Sequence, residues 1–209
     1  ALGDPLIMSH LCSAEERDNP HNKEQLDIFR HAIEGLSAYQ RCFANSSGCF
    51  LGTEYHFDML RPGVALYGGN PEPGFDNPML PVVSLNLPLL QIREVPVGAS
   101  VGYNETWVAK RPSVVGTLAG GYADGLLRSL HGKATVFVDG VAAPIIGRVS
   151  MDLLTVDLTD LTARPLAGQM VELLGENQSV DELAKAAGTI GYEVLTSLGA
   201  RYKRVYSST

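Results

Sequence analysis

Cysteine is scarce in this sequence, basic charge is outnumbered, and no apolar run is long. Each shortage excludes something. The three cysteines, Cys12, Cys42 and Cys49, form an odd set without paired metal-ligand spacing. That pattern argues against a disulfide framework or a zinc site, and for reduced thiols in a cytoplasm. Free cysteine is commonly buried, so all three are expected to be packing residues. Lysine and arginine number 16 against 23 acidic residues, a net charge of −7. A chain of that sign has no sequence-independent grip on nucleic acid or an anionic membrane. The most apolar stretch, PVVSLNLPLLQI, is broken by Pro81 and Pro88 and is too short to span a bilayer. The start, ALGDPLIMSH, has neither a basic n-region nor a methionine. The expectation is a cytoplasmic chain without a secretory leader, processed or taken from something longer.

What is present is globular. The 209 residues are 45% hydrophobic and 19% charged, enough for one large domain or two modest ones. PLIMSHLC (5–12) reads as a short buried strand. In KEQLDIFRHAIEGL, Leu26, Phe29, Ile33 and Leu36 recur at helical spacing, and Asn19 before Pro20 suits the start of that helix. YQRCFAN reads as a second strand, a short helix fits near 53–57, and residues 59–67 read as a third strand. Strand–helix–strand alternation marks parallel β/α units. From about residue 70 the texture changes to short β-rich runs split by glycine and proline. VVSLNLPLLQIREV, SVVGTLA, KATVFVDG, VAAPIIGRV, LLTVDL and MVELLG are the clearest. VDG at 138–140 predicts a hairpin. Ser179 with Glu182 predicts a capping box opening a helix over about 180–188. YEVLTSLGARYKRVY predicts a short helix and a final strand.

The fold class expected is therefore α/β plus all-β. A few parallel strands are no finished fold, because they leave apolar edges and faces open. The first segment thus reads as the end of a (β/α)8 barrel whose earlier part is missing or is supplied by another chain. Residues 1–75 are assigned to that barrel end and 76–209 to a mostly β C-terminal domain.

The stretch LRPGVALYGG (60–69) holds a permanent cation beside small backbone units. A rim arginine in a surface turn is one reading of it, and a site for a charged or electron-poor ligand is the other. Taken in order, MSHL (8–11), ANSSG (44–48), LRPGVALYG (60–68), VGYNETW (101–107), GGYADGLLR (120–128), APIIGRVSMD (143–152) and ARYKRV (200–205) decide between them. Together they resemble bacterial alanine racemases, enzymes that use pyridoxal 5′-phosphate (PLP). Any one motif is weak, but seven in order along the chain are specific.

The resemblance implies racemisation of L- and D-alanine. Racemisation removes an α-proton from one face and returns one to the other, which needs two bases and an electron sink. One base in the family is the PLP-bearing lysine. The other is a tyrosine contributed across a homodimer interface, matched by Tyr103. Tyrosine is ordinarily a poor base, with a pKa of about 10, so it needs donors nearby. The resemblance offers His10, with Arg61 behind it. It also places Arg61 opposite the PLP pyridine nitrogen. Arginine is donor-only, so that nitrogen stays unprotonated and the ring is a weaker electron sink. For the phosphate, the resemblance implies Ser46, the Gly63 and Val64 amides, and Tyr202. It puts Met151 and Tyr122 by the substrate, with Asp152 lining the entrance, and assigns no role to Arg148 or Ser150. Without the motifs, Tyr103 reads equally as an interface or strand tyrosine, His10 as a satisfied buried histidine, Ser46 as part of a turn, and Tyr122 and Tyr202 as ordinary aromatics.

The family's PLP-lysine motif is not in this sequence. Its lysines are Lys23, Lys110, Lys133, Lys185 and Lys203, and none matches. The expected partners are therefore alanine, a second subunit, and an N-terminal segment or chain carrying the lysine. The expected role is supply of D-alanine for peptidoglycan. A racemase of broader specificity, a non-catalytic PLP-binding protein and a plain β interaction module stay open as alternatives.

Overall fold

The computed structural model describes residues 5–207. They fall into two compact units, divided between Val82 and Val83.

The first unit opens with β1 (Leu6–Met8), which pairs in parallel with β2 (Gln40–Cys42). Between them lies α1 (Pro20–Ala32). The Asn19 side chain accepts from the His21 amide at 3.0 Å, and Pro20 starts the helix without needing a donor of its own. Leu26, Phe29 and Ile33 face inward, against Leu11, Ala14, Phe43 and Tyr55. The Phe29 and Phe43 rings stack at 4.8 Å, and Phe57 meets both edge-on. Two expectations change here. The segment read as a buried strand is only three residues long, and Leu6 and Met8 at its ends are exposed. The helix ends at Ala32, and Gly35 at φ +78° turns the chain so that Leu36 is exposed.

A further four-residue helix, α2 (Gly48–Leu51), and a 3-10 turn at Thr53–Tyr55 follow. The third strand expected over 59–67 does not form. Met59 makes a single parallel bridge to Cys42, and the Arg61 amide donates to Ala44 O at 3.0 Å. The chain then leaves the sheet. Pro62 has no N–H for a ladder and is pre-set for a helical turn. Residues Val64–Tyr67 wind into a 3-10 turn, closed by Gly68 at φ +86°.

The second unit is a closed six-stranded antiparallel barrel. Two short strands interrupt it in sequence, so its members are β3 (Leu85–Val95), β6 (Ser113–Ala119), β7 (Thr135–Val138), β8 (Val141–Ile146), β9 (Leu153–Asp157) and β10 (Met170–Leu174). The two short strands, β4 (Ser100–Val101) and β5 (Trp107–Val108), pair only with each other. Along β3, Leu85, Leu87 and Leu89 point inward at strand period. β3 pairs with β10 over Leu85–Pro88 and with β6 from Leu89 to Val95, with a register shift in the second ladder between Leu89 and Gln91. The β7–β8 hairpin turns on Asp139 and Gly140, both at positive φ, as VDG predicts. The pairing of Glu172 with Phe137 joins β10 to β7 and closes the ring.

Two short helices, α3 (Val180–Ala187) and α4 (Gly191–Ser197), cover the barrel core. Ser179 and Glu182 form the expected capping box: the Ser179 amide donates to Glu182 Oε2 at 2.7 Å, and the Glu182 amide donates to Ser179 Oγ at 3.2 Å. The final strand expected after α4 is absent among the described residues. A closed barrel has no free edge for it to join.

Candidate active site

In the first unit the pieces converge on Arg61. Its Nη1 donates to Cys42 Sγ at 2.7 Å. Its Nη2 lies 2.9 Å from Ser9 O, 3.2 Å from His10 Nδ1 and 3.4 Å from Phe43 O. None of these partners is a carboxylate, so the guanidinium is held by neutral acceptors and keeps its charge for whatever it faces. Because Arg61 is donor-only, His10 Nδ1 accepts, and the proton of the neutral ring sits on Nε2. His10 is exposed and contacts Asn45 Nδ2 at 3.4 Å, so it is not a satisfied buried histidine. The structure thus brings His10 and Arg61 into contact from segments far apart in sequence.

Cys42 is the residue that sequence reasoning missed. Its sulfur is fully buried, but it packs against a cation rather than hydrocarbon. Nothing in the sequence marks it, because the contact spans two segments of unit one. Cys12 also departs from expectation by being exposed.

Beside Arg61 lies a cluster of small polar groups. Ser46 is buried, and its Oγ accepts from the Ala65 amide at 3.3 Å, leaving its own O–H to donate. Val64 opens the 3-10 turn, so its amide has no acceptor within it. The Gly63 amide, expected to be free with it, instead donates to Arg61 O at 2.8 Å. Asn45 Oδ1 accepts from the Gly48 amide at 2.9 Å and fixes this corner.

The second unit carries the other expected residues. Tyr103 stands on the loop between β4 and β5, 68% exposed. Gly102, at φ +81°, lets that loop touch its neighbour: a Cβ there would come within 2.9 Å of the Arg148 amide nitrogen. Asn104 and Glu105 also take positive φ, a conformation that asparagine tolerates and glutamate seldom adopts. Tyr122 and Met151 lie on two adjacent loops, 45% and 54% exposed. They are joined through the backbone, the Tyr122 amide donating to Ser150 O and the Ala123 amide to Met151 O. An open concavity of about 370 Å³ is lined by Arg128, Ser129, His131 and Arg148, with no carboxylate in its walls. This gives Arg148, which had no role from sequence, a basic neighbour and a cleft.

Tyr202 packs against the barrel core, and its hydroxyl is enclosed without a hydrogen-bond partner among the described residues. Burial first, and Asp124 second, push its phenol above the usual range. It therefore stays a neutral donor. No group of His, Cys, Asp and Glu able to hold a metal ion occurs among the described residues, and none of their helices is long and apolar enough to cross a membrane.

The sequence matches two family descriptions: "Alanine racemase, N-terminal domain" over residues 5–71 and "Alanine racemase, C-terminal domain" over 82–206. An alanine racemase of Jannaschia sp. (strain CCS1) is 50% identical over 199 residues, which are 95% of this chain and 56% of that relative. The crystal structure of alanine racemase from Bartonella henselae with covalently bound pyridoxal phosphate superposes with a TM-score of 0.91 at 42% identity. It covers 97% of this chain and 56% of the other. The biosynthetic alanine racemase of Pseudomonas aeruginosa gives a TM-score of 0.88 at 43% identity, over 97% and 57%. The chain therefore spans little more than half the length of these relatives.

Proposed function

The chain belongs to the alanine racemase family, and on that premise we propose that the complete protein interconverts L- and D-alanine with PLP. The observation that carries this reading is Arg61, a cation held by Cys42, Ser9, Phe43 and His10 and by no carboxylate. Residues 1–75 are the end of a PLP-binding (β/α)8 barrel, and 76–209 are a mostly β C-terminal domain.

The residues present fit PLP. Arg61 would donate to its pyridine nitrogen. The Ser46 hydroxyl and the Val64 amide have no acceptors among the described residues and suit its phosphate, and Gly63, lacking a Cβ, lets the backbone approach. The resemblance assigns Tyr202 to the same phosphate, and its hydroxyl has no partner among the described residues. PLP, when bound, withdraws electrons from the substrate α-carbon and makes its hydrogen acidic. This chain's own residues then hold, orient and move protons. Tyr103 exchanges the proton on one face of the α-carbon. His10, which accepts from Arg61 at Nδ1, is the donor the resemblance offers to Tyr103. Tyr122 and Met151 receive the substrate carboxylate. The second base is a lysine outside these 209 residues. The active unit is a homodimer in which the partner subunit's Tyr103 serves each site, and its product supplies peptidoglycan.

The test is interconversion of the two alanine enantiomers by the complete protein with PLP, followed by borohydride reduction and mass spectrometry. Interconversion is expected, with the reduced cofactor on a lysine absent from this chain. No interconversion defeats the reading. Label on Lys23, Lys110, Lys133, Lys185 or Lys203 defeats the two-base assignment.

Tyr202 has a separate prediction. An enclosed hydroxyl without a partner costs about 1–3 kcal/mol. Tyr202→Phe is therefore expected to keep or raise Tm while raising the PLP Kd about tenfold. Calorimetry and cofactor titration check the two halves.

A further inference from the structure

Three separated segments of the β unit meet around one carboxylate. Residues 121–125 carry Tyr122, residues 150–152 carry Met151, and residues 197–201 run from the last residue of α4 onward. The contacts between them are backbone to backbone. A Cβ on Gly121 would lie 2.3 Å from Met151 O, and one on Gly125 would lie 1.8 Å from Ser197 O. The Gly199 amide donates to Asp124 O at 2.9 Å. Asp124 sits at the centre with its side chain 8% exposed, and its Oδ2 accepts from the Gly121 amide at 2.9 Å.

One side chain closes this assembly. Arg201 Nε lies 3.1 Å from Asp124 Oδ1, and its Nη1 lies 2.7 Å from Asp152 Oδ1. It thus ties the Tyr122 loop to the Met151 loop from the outside. We propose that Arg201 is a positioning residue: by clasping Asp124 and Asp152 it sets the spacing of the loops that present Tyr122 and Met151, and so sets substrate affinity. The second half rests on the substrate roles given above to Tyr122 and Met151.

The chemistry of the clasp is specific to arginine. Its planar fork offers N–H groups in two fixed directions, which reach two carboxylates on different loops; a lysine ammonium is a single point. Arg201 and Asp152 are each about half exposed, at 55% and 52%. Ion pairs that exposed contribute little to global stability. Loss of Arg201 is therefore felt locally. It leaves Asp124 enclosed with the Gly121 amide as its remaining side-chain partner among those described, and the two loops part to hydrate it. Tyr122 and Met151 stand at 45% and 54% exposure, so little side-chain packing fixes them, and their positions follow the loop backbone.

The experiment uses the complete protein with PLP and the variants Arg201→Met, Arg201→Lys and Asp152→Asn. KM and kcat are measured for both alanine enantiomers, with Tm and amide hydrogen exchange alongside. For Arg201→Met, KM is expected to rise about tenfold for both enantiomers, with kcat within about threefold. Exchange in residues 121–124 and 150–153 is expected to rise about tenfold, with β6 and β9 unchanged. Arg201→Lys is expected to behave like Arg201→Met, and Asp152→Asn to fall between Arg201→Met and wild type. The proposal is overturned if the loop amides exchange as in the wild type, if they open without a change in KM, or if exchange rises across the whole barrel as Tm falls. Tyr122→Ala and Met151→Ala separate the two layers. If both leave KM unchanged while Arg201→Met opens the loops, the substrate roles of Tyr122 and Met151 fail and the loop clasp stands.

Discussion

Tyr103→Phe in the complete protein is expected to lower alanine racemisation by about 10²–10⁴-fold, the usual yield of one positioned acid–base group. The loss should be one-sided. In heavy water, one enantiomer should still exchange its α-hydrogen, because the base on that face is a different residue; the other enantiomer should stop. Stability should hold, since the ring is 68% exposed and its loop is shaped by Gly102, Asn104 and Glu105 rather than by the phenol. Separate exchange measurements from each enantiomer decide the matter. Equal loss from both would count against a base on each face.

Arg61→Glu carries the other large effect. It removes a fixed cation and sets a carboxyl group among Ser9 O, Phe43 O and His10 Nδ1. Racemisation is expected to fall about 10²-fold or more, as for loss of a preorganised charged donor. Of the turnovers that remain, a larger share should end in transamination, because an acid at this position can share a proton with the PLP ring and strengthen it as an electron sink. Assay of pyruvate against D-alanine gives the ratio. An unchanged ratio would remove Arg61 from control of the reaction course. Arg61→Lys guards against simple misfolding: it keeps the charge, and its ratio should stay near that of the wild type.

These effects depend on contacts of two kinds, and the kinds differ in how far they can be read from a sequence. The start of α1 is legible because Asn19 reaches an amide two residues away. The Ser179–Glu182 box spans three residues, and the Asp139–Gly140 turn is set by its own dihedrals. The strands of the β unit are legible from alternation, since a half-buried strand needs an apolar side chain at every second position. The resemblance carried by short motifs named the family and pointed to His10, Arg61, Ser46 and Tyr103.

The departures occur where a distant segment decides the outcome. Residues 59–67 have strand-like composition, but after Met59 the chain leaves β2 at Pro62 and winds up around Gly63. The C-terminal residues could pair as a strand, but the ring closed by Glu172 and Phe137 offers no edge. Cys42 reads as a packing residue until Arg61, nineteen residues on, donates to its sulfur. Arg201 reads as one more charge until its fork is seen to bridge Asp124 and Asp152.

By itself, then, the sequence determined composition class, most local elements, the order of the motifs and hence the family. Those follow from interactions within a few residues or from the alternation of side chains along a strand. Only the tertiary structure decided how the barrel closes, which amide beside Arg61 has no partner among the described residues, what holds Arg61 and what clasps the two loops of the β unit. Each of these depends on where a second segment lies in space, and neither propensity nor spacing encodes that.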